Sequence, residues 1–269
     1  MNGLTAGDVL SLGSSLARVV EVHPALASTQ DRARELARAG SPHGTLVVAG
    51  IQTGGRGRLR RAWGSPEGGL WMSLVLRPDL EAAAAPRITQ TASVAVAKAL
   101  RGLGVDVGIK WPNDLLAEPG GRKICGILAE ASFGPAVPGE TPRLDHALLG
   151  VGLNANLDPE DLGVTDREVA TLRSELGGDA DPLNLLRKIL RSLQAELGRI
   201  HDFAAVLEDW RALSLTLGQK VRVRRSGETL EGRAVDVGPG GALLLQTGDR
   251  LVELREGEVE RLRQDVGRA

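Results

Sequence analysis

The chain has 269 residues, 33 basic against 34 acidic side chains, and a formal net charge of −1, with 42% hydrophobic and 25% charged residues. That length holds one sizeable domain and a small one, and the composition is that of an ordinary globular protein. The balanced charge excludes a globally basic nucleic-acid coat, so any nucleotide or nucleic-acid contact must come from a local cluster.

In chain order, no basic segment leads into an apolar run at the N-terminus, and no stretch approaches the roughly 18 apolar residues of a membrane span. The expectation is a cytoplasmic protein without membrane contact. Ser28-Thr29-Gln30-Asp31 has the Ser-x-x-Asp spacing of a capping box, predicting a helix through DRARELARA to about Ala39, before Gly40-Ser41-Pro42. Thr45 to Ile51 reads as a short buried strand. An arginine-glycine loop follows, and the chain resumes as a strand over Leu70 to Leu76. Pro86 to Leu103 carries helical periodicity through Ile88, Ala92, Ala95, Val96 and Ala99.

Short strands are predicted near Asp106–Lys110, Asp114–Ala117, Ile124–Ala131 and Leu144–Asn154. The single Cys125 lies in the third and excludes an internal disulfide or a thiolate metal cluster; it reads as a buried structural thiol. Asp181-Pro182 opens a long helix whose stripe of Leu183, Leu186, Leu190, Leu193 and Leu197 reads as a core-facing side. From about Leu217, short apolar runs alternate with SGE, GPGG and TGD turns, predicting a small β-barrel. The domain reading is 1–213 for an α+β catalytic unit and 214–269 for the barrel.

Two motifs carry the chemistry. The run from Gly54 to Pro78 places Arg56, Arg58, Arg60 and Arg61 on a backbone loosened by Gly54, Gly55 and Gly57. Its only nearby acid is Glu67, so local pairing cannot satisfy the arginines, and an anion-binding role fits better than a solvated loop. It is no phosphate-cradling P-loop, because no Gly-Lys-Ser/Thr follows at the required spacing. The second motif, KWPNDLL from Lys110 to Leu116, sets one lysine beside a stiff Trp-Pro step. Asn113 and Asp114 there could orient a ribose or a metal ion, or simply shape the turn. Gly150-Val151-Gly152-Leu153-Asn154-Ala155 matches a dinucleotide fingerprint only nominally, since Asp158-Pro159 leaves no room for the helix that motif needs. Glycines ending an apolar strand instead allow close approach to the backbone. Ser28-Thr29-Gln30 both caps a helix and offers free backbone N–H groups to an anion. The four histidines show no metal-ligand spacing.

Together, GGRGR with SPEGGLWMSLVLRP, KWPND, RKICGILAE (122–130) and GVGLNAN (150–156) resemble the biotin–protein ligases, from Ser28 to the terminal barrel. The resemblance implies a mixed-sheet catalytic domain followed by an SH3-like barrel. It implies biotin contacts at Ser28, Thr29, Gln30, Gln52, Arg56, Gly57, Arg58 and Lys110, with Gly150 and Gly152 lining the pocket. Trp63 and Asn154 match positions on the adenine side, and Arg56, Arg58, Lys110 and Asn113 are the other adenylate candidates. The implied catalytic residues are Lys110, Arg58 and Arg56.

ATP, Mg²⁺ and biotin are the implied ligands, with metal ligands unassigned, and an apo biotin carboxyl carrier protein is the implied partner; a homodimer stays open. Two departures stand out. Arg60 follows Leu59 where the family has Gly, and some 27 residues precede Ser28, too few for the DNA-binding domain of bifunctional members, so no DNA contact is expected. Two other readings stay open: a lipoate or octanoate ligase on the same fold, and a non-enzymatic nucleic-acid binder. The scarcity of aromatics for base stacking speaks against the second.

Overall fold

The computed structural model describes residues 3–135, 138–163, 169–225 and 227–262. The last seven residues of the predicted barrel range therefore lie outside the described residues. A short helix α1 (Ala6–Leu10) precedes strand β1 (Val19–Leu26), helix α2 (Thr29–Arg38) and strand β2 (Thr45–Gln52). β1 and β2 pair in parallel across α2. Strand β3 (Leu70–Leu76) and helix α3 (Arg87–Arg101) follow, then β4 (Val107–Lys110), β5 (Asp114–Ala117), β6 (Arg122–Phe133) and β7 (Leu144–Leu153). These make one seven-stranded sheet in the order β1-β2-β3-β7-β6-β5-β4, antiparallel apart from the first pair.

β1 has no counterpart among the predicted strands. It carries Pro24, which cannot donate to a ladder, and none of its residues is fully buried. Both features belong to an edge strand, where neither a full hydrogen-bond ladder nor apolar alternation is required.

Helices α4 (Leu172–Leu176), α5 (Pro182–Gly198) and α6 (Phe203–Ala212) complete the domain. α3 is the central helix, buried through Ile88, Val94, Val96 and Leu100 and packed on α5, α6 and β4–β6. Its alanines at 92, 95, 97 and 99 let neighbours approach closely. The α5 stripe is core-facing as predicted, but centred on Leu186, Ile189, Leu190 and Leu193; Leu183 and Leu197 sit at its partly exposed ends. Asp181 caps α5 by accepting from the Asn184 N–H at 2.6 Å. On the opposite face, Ala33 and Ala37 of α2 pack on Val47, Val75 and Leu148. Each of the three larger side chains contributes on the order of 2 kcal/mol, enough to hold the start of α2 over the sheet.

Strands β8 (Lys220–Arg225), β9 (Glu228–Val237), β10 (Leu243–Thr247), β11 (Arg250–Leu254) and β12 (Glu258–Arg261) form a five-stranded antiparallel sheet ordered β11-β10-β9-β8-β12. Val221, Val223, Ala234, Val237, Leu243, Leu245, Leu254 and Val259 fill its interior. Val235 and Leu251 turn outward instead, 43% and 58% exposed, as strand alternation demands.

The barrel is fastened next to the KWPND corner. The Ile109 N–H donates to the Leu213 carbonyl at 2.7 Å and the Leu215 N–H to the Ile109 carbonyl at 2.9 Å, covering the β4 edge. The Trp111 N–H donates to Thr216 Oγ1 at 2.9 Å, while Trp111 Nε1 and Gln90 Nε2 both donate to the Gly241 carbonyl at 3.1 Å. No helix among the described residues is long and apolar enough to cross a membrane.

Candidate active site

A cleft of about 930 Å³ opens between the sheet, the arginine-glycine loop and the barrel. Of the residues singled out in the sequence, Ser28, Thr29, Gln30, Gln52, Arg56, Gly57, Arg58, Trp63, Lys110, Asn113, Asp114, Gly150 and Gly152 all line it. Asn154 does not. It is 1% exposed and donates to the carbonyls of Ala170 at 3.0 Å and Lys123 at 3.3 Å, stitching the end of β7 to the strand and loop beside it.

The floor is polar and pre-organised. The Thr29 N–H donates to Gln52 Oε1 at 2.8 Å, and Gln52 Nε2 donates to Ser65 Oγ at 2.9 Å. Thr29 Oγ1 lies 2.9 Å from Ser73 Oγ, which donates to Gln30 Oε1 at 2.9 Å. Ser73, in the middle of β3 and 1% exposed, is a site residue the sequence reading missed. Its signal is a lone hydroxyl within LWMSLVL, otherwise wholly apolar. Met72, Ile127, Leu128 and Val151 supply apolar wall beside this network.

Ser28 caps α2 as expected, accepting from the Asp31 N–H at 3.3 Å. The reciprocal half of the capping box does not form, because the Asp31 carboxylate is taken by Arg56 and Arg34. Burial disfavours ionised Asp31, yet the two guanidinium groups outweigh it and hold its carboxyl below the usual range. Arg34 also pairs with Glu130 on β6.

The loop is a hairpin-like excursion. The Trp63 N–H donates to Gly55 O at 2.9 Å, the Gly57 N–H to Arg61 O at 2.8 Å and the Gln52 N–H to Ser65 O at 3.0 Å. At its tip Leu59 and Arg60 take φ of 56° and 57°, left-handed values that glycine adopts without strain. Local sequence offered the arginines no acid beyond Glu67, but long-range partners exist. Arg56 meets Asp31, and Arg61 grips Glu258 of β12 with both terminal nitrogens. Arg58 donates to Asn113 Oδ1 at 3.2 Å and to the Gly257 carbonyl at 3.3 Å. Burial lowers the Arg58 pKa, opposed by Asp114, Glu256 and Glu258 nearby.

Asn113 also donates from Nδ2 to the Ile127 carbonyl at 2.7 Å. These bonds shape the corner and hold Arg58. Trp111-Pro112 is a cis step. Lys110 lies at the end of β4 and faces the cleft.

Lys123 is the second missed residue. Its ammonium is 2.7 Å from Asp114 Oδ1 and 4.9 Å from the centroid of the Trp63 ring, inside the cleft. The signal was a cation at the head of an apolar strand paired with the KWPND hairpin. The glycines of β6 and β7 make room for these groups. A Cβ on Gly150 would stand 2.8 Å from Gln30 Oε1, and one on Gly152 would stand 2.7 Å from Trp63 Nε1. Cys125 is fully buried, and burial raises its thiol pKa well above the ordinary value, as expected for a structural cysteine.

The cleft thus sets cationic side chains of the mixed sheet and its loop over a hydrogen-bonding floor, walled on one side by the small barrel. Residues 22–154 match the biotin/lipoate A/B protein ligase family, and residues 216–262 match the biotin protein ligase C-terminal domain. The bifunctional ligase/repressor BirA of Bacillus subtilis (strain 168) is 36% identical over 243 residues, spanning 88% of this chain and 72% of the relative. The biotin–[acetyl-CoA-carboxylase] ligase of Mycobacterium tuberculosis is 35% identical over 240 residues, 85% of this chain and 84% of that one. Among solved structures, the biotin protein ligase of Aquifex aeolicus in complex with biotin and ATP superposes with a TM-score of 0.74 at 27% identity, over 91% of this chain and 99% of the other. The chain belongs to the biotin/lipoate A/B protein ligase family.

Proposed function

We propose that this chain activates biotin with ATP, forming biotinyl-5′-adenylate, and passes the biotinyl group to a lysine of a biotin carboxyl carrier protein. One observation carries the proposal: Lys110, Arg58 and Lys123 converge in a single cleft above a floor of neutral hydrogen-bonding side chains. A floor of Thr29, Gln30, Gln52 and Ser73 suits a ligand whose buried end has N–H and C=O groups. The alkyl chain of octanoate or the dithiolane of lipoate would offer no donor to the open lone pairs of that floor.

In the first half-reaction a carboxylate oxygen of biotin attacks the α-phosphorus of ATP. The new O–P bond forms as the bond to pyrophosphate breaks. The nucleophile is already ionised, so no general base is needed. The barrier is repulsion between anions: a unit-charge pair about 4 Å apart is worth on the order of 4 kcal/mol at an effective dielectric near 20, about a thousandfold in rate. Lys110, anchored at the end of β4, neutralises the carboxylate and the α-phosphate oxygens. Arg56 and Arg58 close over the product and exclude water that would hydrolyse the mixed anhydride.

In the second half-reaction a neutral amine of the carrier lysine attacks the acyl carbon, AMP leaves, and the amine's proton must go to an acceptor. Asp114, held in the cleft by Lys123, is the candidate. Among the described residues no group of three His, Cys, Asp or Glu side chains could hold a metal ion. Mg²⁺ would therefore arrive with the triphosphate, whose oxygens supply most of its ligands and whose charge it partly neutralises. ATP–pyrophosphate exchange, run with biotin and with lipoate, tests the proposal. Exchange that depends on biotin supports it, and exchange with lipoate alone overturns it.

A further inference from the structure

The hydrogen bonds of the cleft floor have a direction, and one residue outside the cleft wall sets it. Gln30 Nε2 faces two acceptors, Glu130 Oε2 at 3.0 Å and the Leu148 carbonyl at 3.3 Å. Rotating the amide would press Oε1 against both, so Oε1 stays turned toward Ser73. Oε1 can only accept, so the one Ser73 proton goes to it, across 2.9 Å. Ser73 Oγ, its proton spent, can only accept across its 2.9 Å contact with Thr29 Oγ1. The Thr29 hydroxyl proton therefore goes to Ser73 Oγ or to Gln52 Oε1 at 3.1 Å, which has a second lone pair beside the one taken by the Thr29 N–H at 2.8 Å. Thr29 Oγ1, its proton committed, offers lone pairs that receive no hydrogen bond among the described residues. Thr29, Gln30 and Ser73 are each at most 4% exposed, so water does not scramble the order among them, while Glu130, with a side chain 38% exposed, holds Gln30 from the rim.

We propose that Glu130 is a specificity-determining positioning residue: acting through Gln30, Ser73 and Thr29, it keeps the cleft floor an acceptor for ligand N–H groups. A cyclic urea is the chemical class that fits such a floor. A carboxylic acid with a plain alkyl tail has nothing to donate to it and is disfavoured. Gly150 is part of the device, since a Cβ there would stand 2.8 Å from Gln30 Oε1. The proposal rests on biotin being the substrate.

The test is Glu130→Gln, which keeps the shape but can present an N–H to Gln30 and let its amide reverse. Ser73→Ala, alone and combined with it, is the second variant. In pyrophosphate exchange the relay predicts that each single variant raises the KM for biotin about tenfold, the effect of one misdirected buried hydrogen bond. kcat should stay within about twofold and the KM for ATP should not move. The preference for biotin over octanoate narrows by the same factor, and the double variant loses no more than either single one, as members of one chain should. An unchanged KM for biotin in Glu130→Gln overturns the relay while the functional reading stands. So does additivity with Ser73→Ala. A faster escape of adenylate with an unchanged KM for biotin would place Glu130 in the Arg34–Asp31–Arg56 cluster instead, and also overturns the relay. Absence of biotin-dependent exchange in the unaltered chain overturns the functional reading and the relay together.

Discussion

Lys110 and Arg58 divide the work of the cleft by how they are held. Lys110 is fixed by the β4–β5 hairpin, whereas Arg58 reaches across from a loop to Asn113 and the barrel carbonyl of Gly257. Lys110→Ala should leave the fold intact by circular dichroism and lower biotin-dependent pyrophosphate exchange about a thousandfold, the value of one charge pair in a partly desolvated site. Near-normal exchange would remove Lys110 from the chemistry. Arg58→Gly should keep adenylate formation but shorten adenylate retention, seen as rapid release of labelled adenylate and indiscriminate labelling of nearby lysines. At this scale the sequence was readable where a charge stood out from its surroundings, as in the arginine run and KWPND. It was silent where function depends on pairing. Lys123 meets Asp114 through strand register. Asp31 looked like half of a capping box and instead grips Arg56.

Among the elements, the arginine-glycine loop stores strain. Leu59 and Arg60 are both left-handed. Each left-handed non-glycine residue costs roughly 1–2 kcal/mol, part of which glycine gives back through its greater unfolded-state freedom. Arg60→Gly should therefore stabilise the protein by about 0.5 kcal/mol, read as a higher urea midpoint with an unchanged slope. A lower midpoint would mean that the tip is not left-handed. The predicted helices and inner strands emerged with ends shifted by a few residues, because apolar periodicity marks any element with one buried side. β1, at the sheet edge with Pro24 in it, has no such side and left no pattern. α6 went unread as well, although Phe203, Val206, Leu207 and Trp210 carry the three- and four-residue steps of a buried helix face.

Across the whole molecule, carboxylates held by cations set the response to acid. Arg32 donates to Glu21 and, despite partial burial, draws its pKa down from 4.5 to about 2. Asp209 is lowered by Lys98 and Arg199, and Asp236 by Arg211, which ties α6 to the barrel. A depressed folded-state pKa means stability that is complete above the unfolded value and lost as pH falls toward the folded one. The melting temperature should thus hold steady from pH 7 to about 5, then fall as pH drops from about 4.5 toward about 2. Arg32→Met should flatten the Glu21 share of that fall; an unaltered acid limb would assign it to other carboxylates. The two-part architecture was legible in the change of pattern near Leu217. The way the barrel walls the cleft was not, since Arg61–Glu258 joins residues far apart in sequence that share no motif.

The central claim, that clustered cations over a urea-reading floor join biotin to a nucleotide and then to a protein, meets its most direct test in one incubation. The chain is mixed with ATP, Mg²⁺, biotin and an apo biotinyl-carrier domain, and the carrier is weighed by intact-mass spectrometry. The account predicts a gain of one biotinyl group that requires ATP and disappears with Lys110→Ala. A carrier whose mass stays unchanged with the unaltered chain, or shifts only when lipoate replaces biotin, would contradict it.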